Sequence, residues 1–185
     1  NAYATVLLLE LTKTYSKDAV FVFFSSNKIF GDNPNRIKLK ELETRYDFDD
    51  PLYKNGIGEW FTVDNCLHSL YGASKLSADI YVQEYAKYYG MRTYCLRAGC
   101  LTGPKHAGAE LHAFLDYLIK CNVIQREYKI FGYKGKQVRD NIHSWDVANF
   151  INTIINDPKE STVYNLGGGR GNSISILEAI SKIEQ

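Results

Sequence analysis

A tyrosine and a lysine stand four residues apart in the segment HSLYGASKLSADIY, residues 68–81. In a helix, this spacing places Tyr71 and Lys75 on one face. A free tyrosine is a weak base at neutral pH because its pKa is about 10, and a nearby ammonium group favours the phenolate. The pair can therefore act as a general base for an alcohol that loses hydride. Exposed pairs with this spacing are also common, so a surface or packing role stays open.

Two serines follow an apolar run further upstream. The run AVFVFF, residues 19–24, leads directly into Ser25 and Ser26. A continuous apolar run is typical of a strand buried on both faces in a parallel sheet, and open α/β sheets bind ligands at the carboxyl ends of such strands. A serine there can hydrogen-bond a substrate hydroxyl and hold it beside the phenol. The same serines could instead form a turn or cap the next segment.

The composition is that of an ordinary globular protein. The 185 residues are 45% hydrophobic and 23% charged, with 22 basic against 21 acidic side chains. This balance argues against nucleic acid or an anionic membrane as the main partner. The apolar runs are too short to span a bilayer, and the N-terminus does not resemble a signal peptide. We therefore expect a cytoplasmic protein.

Four cysteines are spread along the chain without a CxxC pair. Zinc sites use more closely spaced ligands, so the pattern predicts no metal site. Without an export signal, such thiols are typical of a reducing compartment and of buried apolar positions. They are Cys66, Cys95, Cys100 and Cys121.

Helical and extended patterns alternate along the chain, which predicts βαβ units and a mostly parallel sheet. The segment 31–65 is rich in Gly, Pro, Asn and Asp, so we expect a long loop of a kind that is often functional. In the first helix, Val6, Leu7 and Leu11 share one face. Gly90 is expected to end the longest helix. The predicted helices are 2–15, 69–89, 110–122, 145–156 and 173–183, and the predicted strands are 19–24, 92–98, 128–131, 138–142 and 162–167.

Several segments resemble the extended short-chain dehydrogenase/reductase family, and within it the nucleotide-sugar epimerases and dehydratases. YGASK resembles the YxxxK signature of that family, and FFSSNKIFGD resembles its strand-to-serine segment. A finer resemblance, to the CDP-sugar 2-epimerases, is carried by Asn27 and Lys28 after the serines and by the context HSLYGASK. The other matching segments are YCLRAGCLTGP, GKQVRDNIHSWDVA, VYNLGGG, LRAGCLTGPKHAGAELHAFL and FGYKGKQVRDNIH.

The resemblance implies an α/β fold, with a Rossmann-like, doubly wound and mostly parallel sheet and a small C-terminal substrate-binding portion. Residues 1–105 would form the C-terminal part of the NAD-binding domain, and 106–185 mostly the nucleotide-sugar portion, interleaved with the sheet. The GxxGxxG turn that opens the family's cofactor domain is missing, and GGGRG at 167–171 matches a later turn. The chain therefore resembles a fragment that lacks the N-terminal strands of the family.

The resemblance also assigns roles to individual residues. Ser26, Tyr71 and Lys75 match the catalytic residues, and Lys75 would also bind the ribose hydroxyls of NAD. Arg139 would face the diphosphate of the nucleotide sugar, which suits a guanidinium, with a surface ion pair to Asp140 as the alternative. The residues expected to contact NAD are Ser25, Tyr71, Lys75, Arg97, Ala98, Gly99 and Cys100, and those expected to contact the substrate are Asn27, Lys28, His112 and Arg139.

The implied reaction is the NAD-dependent epimerisation of a nucleotide sugar, CDP-paratose to CDP-tyvelose, by transient oxidation at C2′. Two other functions stay open: a UDP-, GDP- or dTDP-sugar 4-epimerase or 4,6-dehydratase, and a truncated, non-catalytic fragment. Asn27 and Lys28 argue against a dehydratase, because dehydratases of this family typically carry an Asp-Glu pair at that point. The resemblance further implies a homodimer or higher homo-oligomer, formed through helices that include the YxxxK helix.

Overall fold

The computed structural model describes residues 1–110 and 112–185, which form two compact units. The first unit consists of Asn1–Arg36, Ile57–Ala98 and Val147–Leu166. The second unit consists of Ile37–Gly56, Gly99–Asp146 and Gly167–Gln185. The chain passes between the units several times, and the division into functional halves after residue 105 stays a prediction.

Helices and strands alternate along most of the chain, as the sequence predicts. The helices are α1 (Ala2–Tyr15), α2 (Ser69–Tyr89), α3 (Phe114–Val123), α4 (Ser144–Asn156) and α5 (Ile176–Ile183). The strands are β1 (Val20–Phe24), β2 (Leu39–Glu41), β3 (Tyr46–Phe48), β4 (Arg92–Ala98), β5 (Cys100–Thr102), β6 (Val138–His143), β7 (Thr162–Leu166) and β8 (Ser173–Ser175).

A three-stranded parallel sheet in the order β1-β4-β7 organises the first unit, which confirms the predicted α/β fold. Val20 lies opposite Arg92, and Tyr94 lies opposite Thr162. Helix α2 connects β1 to β4, so these elements form a βαβ unit of the expected kind. Gly90 ends α2 with a φ of 65°, a left-handed conformation that glycine adopts without strain.

The buried strand of this sheet is β4 rather than β1. Tyr94, Cys95 and Leu96 of β4 are almost completely buried, whereas β1 is only partly covered and Phe24 is 40% exposed. The prediction that residues 19–24 form a strand buried on both faces is therefore wrong. Among the described residues β1 pairs only with β4, so it lies at the edge of the sheet.

The core of the first unit is formed by the sheet and the two helices packed on it. Leu9 of α1 and Val82 of α2 lie in one buried cluster with Cys95 of β4. The face of α1 that carries Leu7 and Leu11 is exposed instead. Helix α2 is thus anchored in the core through Val82, which lies two turns after Lys75 on the same face of the helix.

The second unit contains a mixed sheet and a hairpin. Strand β5 is parallel to β6, and β8 is antiparallel to β6 on its other side. The segment 31–65, predicted to be a long irregular loop, contains the antiparallel pair β2–β3. Residues 128–131 form no strand, so that prediction is wrong, and α3 and α5 each begin a few residues later than predicted.

Three further observations concern the chemistry that the fold allows. Within residues 1–110 and 112–185, no helix is both long and apolar enough to cross a bilayer. In the same residues, no group of three or more His, Cys, Asp and Glu side chains is arranged to hold a metal ion. Cys95 and Cys121 are buried as expected, whereas Cys66 and Cys100 are only half-buried.

An ion pair joins the β2–β3 hairpin to the start of α5 in the second unit. Arg45 Nε donates to Glu178 Oε1 at 2.7 Å, and a second guanidinium nitrogen donates to Oε2 at 2.5 Å. Glu178 also completes a capping box with Ser175 at the helix N-terminus. The hydrogen bonds from Arg45 are the main reason why the pKa of Glu178 is lowered from 4.5 to about 2.

Replacement of Glu178 by Gln should reduce stability most strongly at neutral pH. A depressed carboxyl pKa contributes stability that is complete above about pH 4.5 and is lost as the pH falls through about 2. We expect the variant to lose about 1.5–3 kcal/mol of unfolding free energy at pH 7, and much less at pH 2.5. Urea unfolding at both pH values measures this difference, with Glu184→Gln on the same helical segment as the control. A loss of equal size at both pH values would contradict the assignment.

Candidate active site

The carboxyl end of β1 carries the two serines of the candidate site. Ser26 is only 8% exposed, and its Oγ accepts a hydrogen bond from Lys28 N at 3.2 Å. It therefore caps the short 3-10 turn Asn27–Phe30. The capping role is therefore confirmed, whereas a hydrogen bond from Ser26 to a substrate hydroxyl stays a prediction.

The two candidate catalytic side chains of α2, Lys75 and Tyr71, differ in their surroundings. Lys75 Nζ donates to Phe24 O at 2.6 Å and lies 4.8 Å from the centroid of the Phe23 ring. Burial lowers the pKa of Lys75. Tyr71, one turn earlier, is 53% exposed. The lysine is thus held against the strand that leads into the serines, while the phenol is open to a ligand.

A close backbone approach joins the start of α2 to the turn that Ser26 caps. A Cβ atom on Gly72 would lie 2.7 Å from Lys28 O, which is closer than real Cβ contacts allow. His68 Nε2 donates to Ile29 O at 2.7 Å from just before the helix. The first turn of α2 therefore rests directly on residues 27–30, and this packing sets the position of Ser26 relative to Tyr71. His68 and Gly72 were not predicted as site residues, although Gly72 directly follows Tyr71 and His68 precedes it by three residues.

The residues predicted to contact NAD are placed in different surroundings. Arg97 is buried, and its guanidinium donates to both carboxylate oxygens of Asp79, at 3.0 and 3.2 Å. Ser25 Oγ also donates to Asp79, at 2.5 Å. Ala98 ends β4 in the first unit, whereas Gly99 and Cys100 belong to the second. The side chains of Ser25 and Arg97 are thus engaged inside the unit, and contact of these residues with NAD stays a prediction.

The residues predicted to contact the substrate are all on the surface. Asn27 and Lys28 are exposed in the turn after Ser26. His112 is exposed in the second unit, with its ring centroid 6.3 Å from that of His106. Arg139 of β6 is exposed, and it donates to Gln137 Oε1 at 2.8 Å. Exposure leaves these side chains accessible to a ligand, and their roles stay predictions.

The alternative role of Arg139, an ion pair with Asp140, is absent from the described residues. Asp140 accepts hydrogen bonds from the backbone amides of Gly168 and Gly169 instead. Burial nevertheless raises the pKa of Asp140. The glycine-rich turn packs closely on β6, because a Cβ atom on Gly168 would lie 2.0 Å from Asn141 O.

The second unit also contains a cavity of about 550 Å³. Its volume is within the range of small-molecule sites. The Arg45–Glu178 ion pair forms part of its wall. Of the four residues predicted to contact the substrate, none lines this cavity. Its polar lining also includes Thr102, Asn141, His143, Asp146, Ser173 and Lys182.

Replacement of Gly72 by Ala should destabilise the first unit although alanine is the better helix former. The added Cβ would overlap Lys28 O, and overpacking of this kind costs about 1–3 kcal/mol, more than the gain in helix propensity of up to about 1 kcal/mol. Urea unfolding measures the net loss. Ser77→Ala, at an exposed position of the same helix, is the control and should change stability little. An increase in stability on Gly72→Ala would show that the helix and the turn are not in contact.

The comparisons with known proteins agree with this architecture. The model of the "NAD dependent epimerase/dehydratase family" matches residues 58–167. CDP-paratose 2-epimerase of Salmonella typhi is 31% identical over 191 residues, which cover 100% of this chain and 55% of that protein. A dTDP-glucose 4,6-dehydratase of Escherichia coli is 27% identical over 177 residues, which cover 91% of this chain and 45% of that protein.

Solved structures share the fold. UDP-glucuronic acid 4-epimerase from Bacillus cereus, in complex with UDP-glucuronic acid and NAD, matches with a TM-score of 0.73 and 24% identity, over 100% of this chain and 50% of that one. dTDP-glucose 4,6-dehydratase from Bacillus anthracis, in complex with NAD, matches with a TM-score of 0.72 and 24% identity, over 97% of this chain and 49% of that one. The chain spans about half the length of the relatives it matches. The family match covers more than half of the chain, and the chain belongs to the NAD-dependent epimerase/dehydratase family.

Proposed function

We propose that this chain provides the catalytic residues of an NAD-dependent nucleotide-sugar epimerase that inverts C2′ of a CDP-sugar, converting CDP-paratose to CDP-tyvelose. The observation that carries the proposal is the hydrogen bond from Lys75 Nζ to Phe24 O, which joins the Tyr–Lys helix to the strand end that bears the serines. The substrate is inferred from the 31% identity to CDP-paratose 2-epimerase along the whole chain.

The residues of α2 fit a nicotinamide cofactor. An ammonium group has three donors, and one hydrogen bond of Lys75 is made to Phe24 O, so further donors can reach ribose hydroxyls. Its partial burial weakens the hydration of the charge and strengthens its effect on a neighbouring group. NAD, when bound, would accept a hydride and return it, so that no net oxidation occurs. Arg139 would bind the diphosphate of the nucleotide sugar.

Tyr71 would carry out the proton transfer. Its exposed hydroxyl, as the phenolate, would take the proton of the sugar 2′-hydroxyl and later return it. The ammonium of Lys75, one turn away, would favour the phenolate. Ser26 would orient the 2′-hydroxyl beside the phenol.

A second candidate function is that of a 4-epimerase or a 4,6-dehydratase. It is favoured by the matches to dTDP-glucose 4,6-dehydratases, which cover 91% of the chain, and by the shared fold of UDP-sugar 4-epimerases. Asn27 and Lys28 stand where the dehydratases of this family carry an acid pair, which favours epimerisation. A third candidate, a fragment without catalysis, agrees with a chain that spans about half the length of its relatives.

A homodimer through α1 and α2 is part of the proposal. Both helices carry large apolar side chains on their exposed faces, and contiguous exposed apolar surface often marks an interface. These side chains are Tyr3, Leu7, Leu8 and Leu11 of α1 and Ile80, Tyr81 and Tyr88 of α2.

Replacement of Tyr71 by Phe should abolish epimerisation while CDP-sugar binding is retained. Loss of a general base lowers turnover by about 10²–10⁴-fold, whereas the phenyl ring keeps the shape of the site. NMR analysis of the products measures both turnover and substrate choice, in an NAD-binding enzyme that contains this chain and with CDP-paratose, UDP-glucose and dTDP-glucose offered separately. Tyr89→Phe, exposed at the end of the same helix, is the control and should remain active. Near-normal turnover of Tyr71→Phe would overturn the assignment.

The 185-residue chain by itself should bind NAD weakly or not at all. The family binds the cofactor diphosphate at a Gly-rich turn before a helix, and that turn is missing from this sequence. Isothermal titration of the purified chain with NAD tests this expectation. Tight binding, with a dissociation constant below about 10 μM, or roughly −7 kcal/mol, would show that the residues present are sufficient.

A further inference from the structure

A completely buried carboxylate lies on α2 beside the candidate site. Asp79 is 0% exposed and accepts hydrogen bonds from three separate side chains. Ser25 Oγ, at the end of β1, donates at 2.5 Å, and Arg97, near the end of β4, donates through two nitrogens. Gln83 Nε2, one turn further along α2, donates at 2.7 Å. The carboxylate thus joins two strand ends to the helix of the Tyr–Lys pair.

Stability alone does not explain why the charged pair of Asp79 and Arg97 is buried. The positive charge of Arg97 compensates the carboxylate, but a buried ion pair is often no more stable than apolar side chains of the same size. Hydrogen bonds are directional, so they fix the position of α2 relative to the ends of β1 and β4 more sharply than apolar packing does. The contact from Ser25 is not needed to neutralise Asp79, since Arg97 already binds both carboxylate oxygens.

The place of these contacts along α2 is informative. Tyr71, Lys75 and Asp79 follow one another at four-residue intervals, so they share one face of the helix. Lys75 holds Phe24 through its carbonyl, and Asp79 holds the next residue, Ser25, through its hydroxyl. The residue after these two is Ser26. Two successive turns of the helix therefore hold the two residues that lead directly into the candidate catalytic serine.

We propose that Asp79 is a positioning residue, which holds the end of β1 through Ser25 so that Ser26 keeps its place relative to Tyr71. The proposal rests on the proposed function for Ser26, Tyr71 and Lys75. Arg97 then serves to compensate Asp79, and Ser25 serves as the link. Loss of the Ser25 hydroxyl removes the hold of Asp79 on this strand end and leaves that of Lys75. Misplacement of a reacting group by about 1 Å can cost roughly 10²-fold in rate.

The test uses Ser25→Ala, because replacement of Asp79 would leave the buried charge of Arg97 without its carboxylate and strongly destabilise the fold. In an NAD-binding enzyme that contains this chain, we expect kcat to fall about 10- to 100-fold while KM for the nucleotide sugar changes little. Ser25→Thr restores the hydroxyl and should restore most of kcat. Gln83→Ala, the matched control, removes another donor to Asp79 but leaves the strand end held, so its kcat should stay near normal.

A second readout needs no cofactor. The amides of Lys28 and Ile29 donate to Ser26 Oγ and Ser26 O, so their hydrogen exchange reports on the position of Ser26. In the 185-residue chain, Ser25→Ala should speed exchange at both amides and Gln83→Ala should not. Unchanged exchange, or faster exchange with unchanged kcat, would overturn the proposal, as would an equal fall of kcat in both variants. Failure of the proposed function would appear separately, as activity retained by Tyr71→Phe.

Discussion

The carboxyl end of β1 is held by side chains of α2, and the arrangement of the candidate site depends on this contact. Lys75 binds the last carbonyl of the strand, and Asp79 binds the hydroxyl of the residue after it. Gly72, one turn earlier, lets the helix touch the turn that Ser26 caps. Three successive turns of one helix thus meet three successive parts of one chain segment, and the exposed Tyr71 lies on the same helix. A general base and a hydroxyl can share one substrate only if such contacts keep them in register.

Much of this arrangement could be predicted from local signals. Local signals predict the type and length of α2, because helix formation and termination are decided within a few residues. These signals are the spacing of Tyr71 and Lys75, the apolar positions that follow the pair, and Gly90 at the end. The serines at the strand end follow from the same kind of pattern. The resemblance to the epimerase/dehydratase family was likewise available in short motifs, and the match of the family model to residues 58–167 confirms it.

Contacts between distant residues could not be predicted in this way. Asp79 and Ser25 are 54 residues apart, and nothing near either residue indicates that a carboxylate on α2 meets a strand end. Arg97 was expected to face the cofactor, although its side chain is taken up by Asp79 inside the unit. The segment 128–131 has the residues of a strand but pairs with no strand among the described residues, and strands require a partner to satisfy their backbone. The order of the strands also decides which one is buried, because β4 lies between β1 and β7 and is covered, whereas β1 is at the edge.

The strand that leads into the serines also has an unpaired side. Among the described residues, β1 forms hydrogen bonds with β4 alone, so its outer amides and carbonyls lack a neighbouring strand. Its sequence, VFVFF, contains no charged residue and no proline. Proteins usually carry such residues on edge strands to prevent pairing with another chain. An extended peptide laid along this margin would continue the sheet. Two purified chains could likewise pair through their β1 edges. Solubility at high concentration therefore depends on what covers these five residues.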